Sequence, residues 1–222
     1  MRHEDNGRLT LYSYWRSSAA YRVRIALHLK GLEFETVPVH LLRNGGEQLS
    51  AAYLALNPQG RVPVLAHGGR VLTQSMAICE YLDDIFPDCP LLPADPFSRA
   101  QARSLALQVA CEIHPLNNLR VLMRLREQFG AGDEAEKAWF THWVTLTFDA
   151  LETALAESPE TGRFCHGDQP TLADLCLYAQ VWNNRRFAIP LDGWPVIARI
   201  FAELDRLPAF RDAAPPAQPD AA

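Results

Sequence analysis

The change of hydrophobic period at residue 17 constrains the fold of this chain more than any other feature. Residues 9–14, LTLYSY, alternate between two faces, as a β-strand with two different environments does. From Ser17 the apolar residues recur at helical spacing on two stripes, and Gly31 stands where a glycine commonly follows the last residue of a helix. A strand that leads directly into a helix with two apolar sides predicts a layered α/β domain with this helix inside it.

The junction between this strand and this helix carries the residues of a candidate active site. Ser17 and Ser18 fall in the first helical turn, where unpaired N–H groups and the helix dipole favour an anion such as a thiolate or a carboxylate. Arg16 adds a cation at the same place. The alternative interpretation is that one of the two serines is only the N-cap of the helix.

The following residues complete a small domain. The predicted elements are a strand over 33–39, a short helix from Leu49 that ends before Asn57, a strand over 62–65, a turn at Gly68-Gly69 and a strand that closes a hairpin over 61–72. Pro38 indicates an edge strand or a strand end, and Pro63 is unusual in a strand because proline cannot donate to a sheet.

A helix from Gln74 to about Ile85 is predicted to close this domain. Its inward residues are predicted to be Ala77, Ile78, Tyr81 and Leu82. The order β-α-β-α-β-β-α predicts an α/β domain with a mixed sheet over residues 8–88.

A cluster of prolines separates this domain from a second one. Prolines at positions 87, 90, 93 and 96 predict a linker over 89–95, after which only helical periods remain. The sequence therefore predicts an all-helical domain over 96–212. The predicted helices start at Asp95-Pro96 and run past Cys111 to a kink at Pro115, resume to Phe129, and then cover 134–157, a stretch after Thr171 and 194–207.

Two further segments of the second half have structural interpretations. Residues 171–174, TLAD, have the form of a capping box and are interpreted as a helix start without a catalytic role. Residues 213–222, AAPPAQPDAA, are predicted to be a disordered tail because of their composition.

Composition excludes several classes of function. The 222 residues carry a net charge of −5 without a clustered basic surface, which argues against a nucleic-acid partner. Residues 1–8 lack the apolar core of a signal peptide and no apolar run is long enough to span a membrane, so a cytoplasmic protein is expected. The five cysteines are scattered and odd in number, which argues against a disulfide framework, a dithiol centre and a metal site.

The Val-Pro strand, the Gln-Ser helix start, the proline linker and the Thr-x-x-Asp motif together resemble the glutathione transferase superfamily over nearly the whole chain. Segments 12–18, 22–27, 55–58 and 113–118 resemble its zeta class, which includes maleylacetoacetate isomerases and bacterial maleylpyruvate isomerases. The triplet at 185–187 and the tail at 214–220 resemble the bacterial isomerases in particular.

The resemblance implies a thioredoxin-like N-terminal domain that binds glutathione as cofactor, and an all-α C-terminal domain. The positions that it assigns to glutathione binding are His40, Gln48, Val62, Pro63, Gln74, Ser75, His114 and Asn118. In this assignment Pro63 follows a cis peptide bond and leaves the Val62 backbone to pair with glutathione, while Gln74 and Ser75 hold its γ-glutamyl carboxylate. The alternatives are a simple helix cap for the latter pair and solvated surface positions for His40 and Gln48.

The resemblance also assigns the catalytic and substrate residues. Ser17, with Ser18 and Arg16 beside it, matches the position that activates the glutathione thiol, which must be ionised near neutral pH. The eukaryotic zeta motif continues with a cysteine where this chain has Ala19. Arg16, Arg120 and Arg186 are the candidates for binding the carboxylates of the substrate, and the alternative for Arg186 is a surface arginine beside Arg185.

The implied reaction is cis–trans isomerisation of maleylacetoacetate or maleylpyruvate in the breakdown of aromatic compounds. Thiolate addition makes the maleyl double bond single, rotation follows, and expulsion of the thiolate gives the fumaryl isomer. The rival hypotheses are a general glutathione transferase or α-haloacid dehalogenating enzyme, and a noncatalytic glutathione-binding adaptor. A homodimer is expected from the resemblance.

Overall fold

The computed structural model describes residues 7–221, which fall into two units: 7–91 together with 207–221, and 92–206. The first unit contains a four-stranded sheet whose strands, in chain order, are β1 (Leu9–Ser13), β2 (Phe34–Pro38), β3 (Val64–His67) and β4 (Arg70–Thr73). The spatial order is β2-β1-β3-β4, with β1 and β2 parallel and the other two pairs antiparallel. The predicted mixed sheet is confirmed, and Pro38 lies on an edge strand as expected.

Within residues 7–91, three α-helices accompany this sheet, α1 (Ser18–Leu29), α2 (Ala51–Leu56) and α3 (Ser75–Ile85), together with two 3-10 turns (Arg43–Gly45 and Glu47–Leu49). Helix α1 is internal, since its side chains from Ala20 to Leu27 are all buried. It ends as predicted, because Gly31 has φ of 61° and its N–H donates to the His28 carbonyl, while Leu32 donates to Leu27. The β-α-β-α-β-β-α order is confirmed.

Two local predictions in this unit are wrong. Strand β3 begins at Val64 instead of Val62, because Pro63 has no N–H to donate and its peptide bond is cis. In α3, Ala77 is exposed and Tyr81 is only partly buried, whereas Cys79 and Asp83 are buried.

The burial of Asp83 in α3 has a specific cause. Its Oδ1 accepts hydrogen bonds from Lys30 Nζ at 2.9 Å and from Leu91 N at 2.7 Å. The Lys30 side chain is only 1% exposed and its ammonium also donates to the carbonyl oxygens of Phe86, Asp88 and Cys89. One buried ion pair therefore ties the end of α1 to α3 and to the segment that follows it.

The second unit, residues 92–206, contains helices and no strand. Its helices are α4 (Pro96–Leu107), a π-helical turn (Gln108–Ile113), α5 (Leu119–Phe129), α6 (Asp133–Glu157), α7 (Leu172–Asn184), a 3-10 turn (Arg185–Phe187) and α8 (Pro195–Leu204). Asp95 caps α4 as predicted, since its Oδ2 accepts from Ser98 N at 2.8 Å. The predicted kink is a π-helical turn that comes just before Pro115. Within residues 7–221 no helix has the length and apolar character needed to cross a membrane.

Helix α7 lies at the centre of this unit and packs against α4 and α8. Its start confirms the predicted capping box, because the buried Asp174 carboxylate accepts from Thr171 N at 2.7 Å and from Thr171 Oγ1 at 3.0 Å. Its other oxygen accepts from Cys165 N at 2.9 Å, which attaches the preceding loop to the helix.

We expect Thr171→Ala to lower the free energy of unfolding by about 1 kcal/mol, because it removes the hydroxyl that belongs to this cap. The measurement is urea unfolding followed by circular dichroism. Thr153→Ala is the matched control, since Thr153 is exposed within α6 and its loss should change stability by less than about 0.5 kcal/mol. Equal midpoints for both variants would contradict a stabilising role for the cap.

The prediction of a disordered tail over 213–222 is wrong for residues 213–221, and Ala222 lies outside the described residues. Residues 207–221 belong with the sheet unit, where α9 (Pro208–Asp212) is followed by a 3-10 turn (Pro215–Ala217). Ala213 and Pro215 are buried. Composition suggested disorder, but specific hydrogen bonds from elsewhere in this unit, described below, hold the segment in place.

Candidate active site

Ser17 is the N-cap of α1. Its Oγ accepts a hydrogen bond from Ala20 N at 3.2 Å, which leaves the hydroxyl hydrogen available to donate. The side chain is only partly buried, and it stands at the positive end of a 12-residue helix. Ser17 is therefore an N-cap, and the cap leaves its hydroxyl hydrogen free to donate to an anion.

The neighbours of Ser17 differ in exposure. Ser18 is the first residue of α1 and only 7% exposed, whereas Arg16 is exposed and lies over the Trp15 ring with 5.4 Å between its guanidinium carbon and the ring centroid. Of the two, Arg16 is the residue that can reach an anionic ligand in solvent.

The peptide that precedes these residues is held by a buried arginine that the sequence did not single out. Arg24 donates from Nη2 to the Trp15 carbonyl at 3.1 Å, from Nη1 to Ser13 Oγ at 3.0 Å and from Nε to the Ala213 carbonyl at 2.9 Å. Burial lowers the pKa of Arg24 to about 10, so the guanidinium stays charged at neutral pH. Asp220 Oδ2 accepts from Trp15 N at 3.0 Å.

A second candidate anion site is the start of α3. Gln74 has φ of 71°, an uncommon value for a residue other than glycine, and directly precedes the buried Ser75. Arg22 is 2% exposed and donates from Nη1 to Ser75 Oγ at 3.4 Å. Its Nε and Nη2 are buried without a hydrogen-bond partner in the part of the chain that the structure describes. A buried guanidinium close to a helix N-terminus favours a carboxylate.

The segment before β3 also agrees with the sequence prediction. The Val62–Pro63 peptide bond is cis, as the resemblance implied. Tyr53 Oη and Asn57 Nδ2 both donate to the Arg61 carbonyl at 2.8 Å, which fixes the residue before Val62. Burial raises the pKa of Tyr53, so its hydroxyl remains a neutral donor.

His40 and Gln48 belong to one loop and do not have the character of freely solvated residues. His40 Nδ1 accepts from Arg43 N at 2.8 Å and Leu42 N at 3.2 Å, which leaves the Nε2 edge as the donor. Gln48 Nε2 donates to the Leu41 carbonyl at 3.4 Å, and its Oε1 is buried without a partner among residues 7–221.

The candidate binding residues around the kink in the second unit differ in exposure and in their hydrogen bonds. Asn118 is the N-cap of α5, with its Oδ1 accepting from Arg120 N at 3.3 Å. The Arg120 side chain is exposed, and His114 is half-buried at the end of the π-helical turn. A capping role for Asn118 was not anticipated from the sequence.

Arg186 is held by a buried carboxylate. Its Nη2 donates to Glu136 Oε1 at 2.9 Å, and Glu136, only 2% exposed, accepts at its other oxygen from Arg126 Nε. The Arg186 side chain remains 38% exposed. Arg186 is thus a surface arginine beside Arg185, as the alternative has it, but one whose guanidinium is anchored by an ion pair with Glu136.

Comparison with known proteins places these elements in a family. Residues 7–84 match the family described as glutathione S-transferase, N-terminal domain. The chain is 47% identical over 213 residues to a probable maleylacetoacetate isomerase of Vibrio cholerae, covering 96% of this chain and 98% of the relative. A structure of a maleylpyruvate isomerase, a bacterial zeta-class glutathione S-transferase, is 48% identical with a TM-score of 0.93, covering 96% of this chain and all of that one. The chain belongs to the zeta class of glutathione transferases.

A further structure supports the assignment of this zeta-class glutathione transferase. The maleylacetoacetate isomerase of Methylobacterium extorquens AM1, solved with malonate and glutathione bound, is 42% identical with a TM-score of 0.92, covering 96% of this chain and 99% of that one. The predicted family, the thioredoxin-like N-terminal domain and the helical second domain are thereby confirmed. Sequence reasoning did not single out Arg22, Arg24 and Asp220 among the candidate positions of the first unit, or Glu136 as the partner of Arg186 in the second unit of this zeta-class chain.

Proposed function

We propose that this zeta-class glutathione transferase is a glutathione-dependent cis–trans isomerase that converts maleylacetoacetate or maleylpyruvate to the fumaryl isomer. The observation that carries the proposal is the near-full-length identity of 47% to 48% with isomerases named for these two substrates. The local geometry supports it, because Ser17 offers a hydroxyl donor at a helix N-terminus.

The first unit carries residues that fit glutathione. Gln74 and Ser75 at the start of α3 suit the carboxylate of its γ-glutamyl end, and the positive charge of the buried Arg22 next to Ser75 favours the same anion. The Val62 backbone at the cis Pro63 is proposed to pair with its cysteinyl backbone. His40 and Gln48 are proposed to bind its glycyl end. His114 and Asn118, which belong to the second unit, are proposed as further glutathione-binding positions.

When bound, glutathione supplies a thiolate that adds reversibly to the maleyl double bond. Ser17 donates a hydrogen bond toward the sulfur, and the α1 dipole favours the negative charge at the same place, so both lower the thiol pKa. Ser18 is the first residue of α1, so its backbone N–H belongs to the same positive helix end. Arg16 and Arg186 bind the substrate carboxylates, and Arg120 is a further cation for them.

The decisive experiment measures loss of the maleyl absorbance with maleylpyruvate and with maleylacetoacetate, each with and without glutathione. Turnover that requires glutathione is the expected result, and the larger kcat/KM identifies the substrate. Conjugate formation or halide release from an α-haloacid without maleyl turnover would favour the general transferase. Failure to bind glutathione at millimolar concentration in calorimetry would favour the adaptor.

The oligomeric state and the cellular location of the protein form part of the same proposal. A homodimer is proposed, and light scattering after size-exclusion chromatography tests it. A cytoplasmic location is proposed because the cofactor is reduced glutathione and the five cysteines are all free thiols. Fractionation of the producing cells tests the location.

A further inference from the structure

The carboxylate of Asp220 lies against the loop that leads into Ser17, although 205 positions separate it from Trp15 in sequence. Its Oδ2 accepts the Trp15 N–H at 3.0 Å, while its Oδ1 is buried without a partner in the described part of the chain. Among the described residues the carboxylate thus accepts one hydrogen bond, from the backbone N–H of Trp15, the residue directly before Arg16.

The segment that carries Asp220 is itself fixed. Gln218 Nε2 donates to the carbonyl oxygens of Ala214 at 3.0 Å and Asp212 at 3.2 Å, and the Ala221 N–H donates to the Gln218 carbonyl at 3.1 Å. At the start of the segment, the Ala213 carbonyl accepts a hydrogen bond from Arg24 Nε at 2.9 Å. Asp220 therefore approaches Trp15 from an ordered support.

Trp15 is held on both sides of its backbone. Its N–H is bound by Asp220, and its carbonyl is bound by Arg24 at 3.1 Å. Arg24 and Asp220 carry opposite charges, and Asp220 favours the charged form of Arg24. With the Trp15 backbone bound at both groups, the peptide that leads to Arg16 and Ser17 has a fixed orientation.

We propose that Asp220 is a positioning residue for the reaction, which sets the orientation of the Trp15–Ser17 backbone and thereby the direction of the Ser17 hydroxyl. The inference rests on the proposed function, because it needs Ser17 as the donor to the thiolate. A misplacement of about 1 Å in an active site can lower a rate about 100-fold. A lost backbone hydrogen bond that allows a smaller shift should lower it about tenfold.

The test compares three proteins: the natural chain, Asp220→Ala and Asp220→Asn. In Asp220→Ala we expect kcat to fall about tenfold with substrate KM little changed, and the pKa of the bound glutathione thiol, read from thiolate absorbance, to rise by about one unit. Asp220→Asn keeps an oxygen acceptor for the Trp15 N–H and should restore most of kcat.

A direct readout that does not depend on activity is amide hydrogen exchange at Trp15. Exchange should accelerate in Asp220→Ala and stay slow in Asp220→Asn. A lower Tm in Asp220→Ala with unchanged kcat and thiol pKa would overturn the proposal and leave Asp220 with a structural role only. Absence of isomerase turnover in the natural chain would instead overturn the proposed function, while the thiol titration and the exchange measurement would still decide on Asp220.

Discussion

Replacement of Ser17 by alanine is expected to lower kcat by about 100-fold to 1000-fold, the range found when one preorganised donor to a developing or stabilised anion is removed. The hydroxyl at the start of α1 is the group that can donate to a thiolate, and the methyl group of alanine cannot replace it. Glutathione should still bind, because the residues at the start of α3 are unaffected. Steady-state kinetics and calorimetry measure the two effects.

The same substitution also removes an N-cap, so a control must separate lost stability from lost chemistry. Ser50→Ala is the matched variant, since Ser50 Oγ accepts from Tyr53 N at 3.3 Å as the N-cap of α2 and has no proposed catalytic role. Both variants should lose about 1 kcal/mol of unfolding free energy. Only Ser17→Ala should lose turnover, and an unchanged kcat in that variant would remove Ser17 from its proposed role.

Replacement of Arg186 by alanine is expected to raise the KM of the maleyl acid by about 10-fold to 100-fold, with a smaller change in kcat. Hydrogen bonds to charged groups contribute about 1.5 to 3 kcal/mol, which converts to that range. Arg186 is suited to this role because Glu136 anchors one of its nitrogens and leaves the side chain 38% exposed.

The neighbouring Arg185 provides the control for Arg186. It is exposed, and its guanidinium carbon lies 5.4 Å from the Trp182 ring centroid, so Arg185→Ala removes the same charge from the same turn. Arg186→Lys keeps the charge and loses the planar fork, so its KM should lie between those of the natural chain and the alanine variant. Equal KM values for Arg185→Ala and Arg186→Ala would show that only the overall charge matters.

Features with a local physical cause were predictable from the sequence. The cap at Ser17, the end of α1 at Gly31, the Asp95-Pro96 helix start and the Thr171–Asp174 box each depend on residues a few positions apart. The order of strands and helices followed from the period of the apolar residues. The family resemblance then located the cis bond at Pro63, which no local pattern specifies.

Features that depend on distant partners were not predictable in the same way. Arg22 and Arg24 interrupt the apolar stripes of α1 and would be expected at the surface, yet both are buried. Arg22 donates a hydrogen bond to Ser75 Oγ, and Arg24 donates one to the Ala213 carbonyl. The last residues are rich in alanine and proline, and their composition gives no indication that Asp220 meets the Trp15 N–H. From the sequence, Glu136 is expected to be an exposed acidic residue in the first turn of a helix. It is buried because it forms ion pairs with Arg126 and Arg186.

The buried ammonium of Lys30 has a practical consequence for chemical labelling. The sequence carries lysine at positions 30 and 137. Lys30 has its three protons shared among Asp83 and backbone carbonyl oxygens, whereas Lys137 is exposed on α6. An amine-reactive dye applied to the folded protein thus has one accessible lysine side chain, at Lys137, so a fluorophore can be attached to α6 without introducing a cysteine.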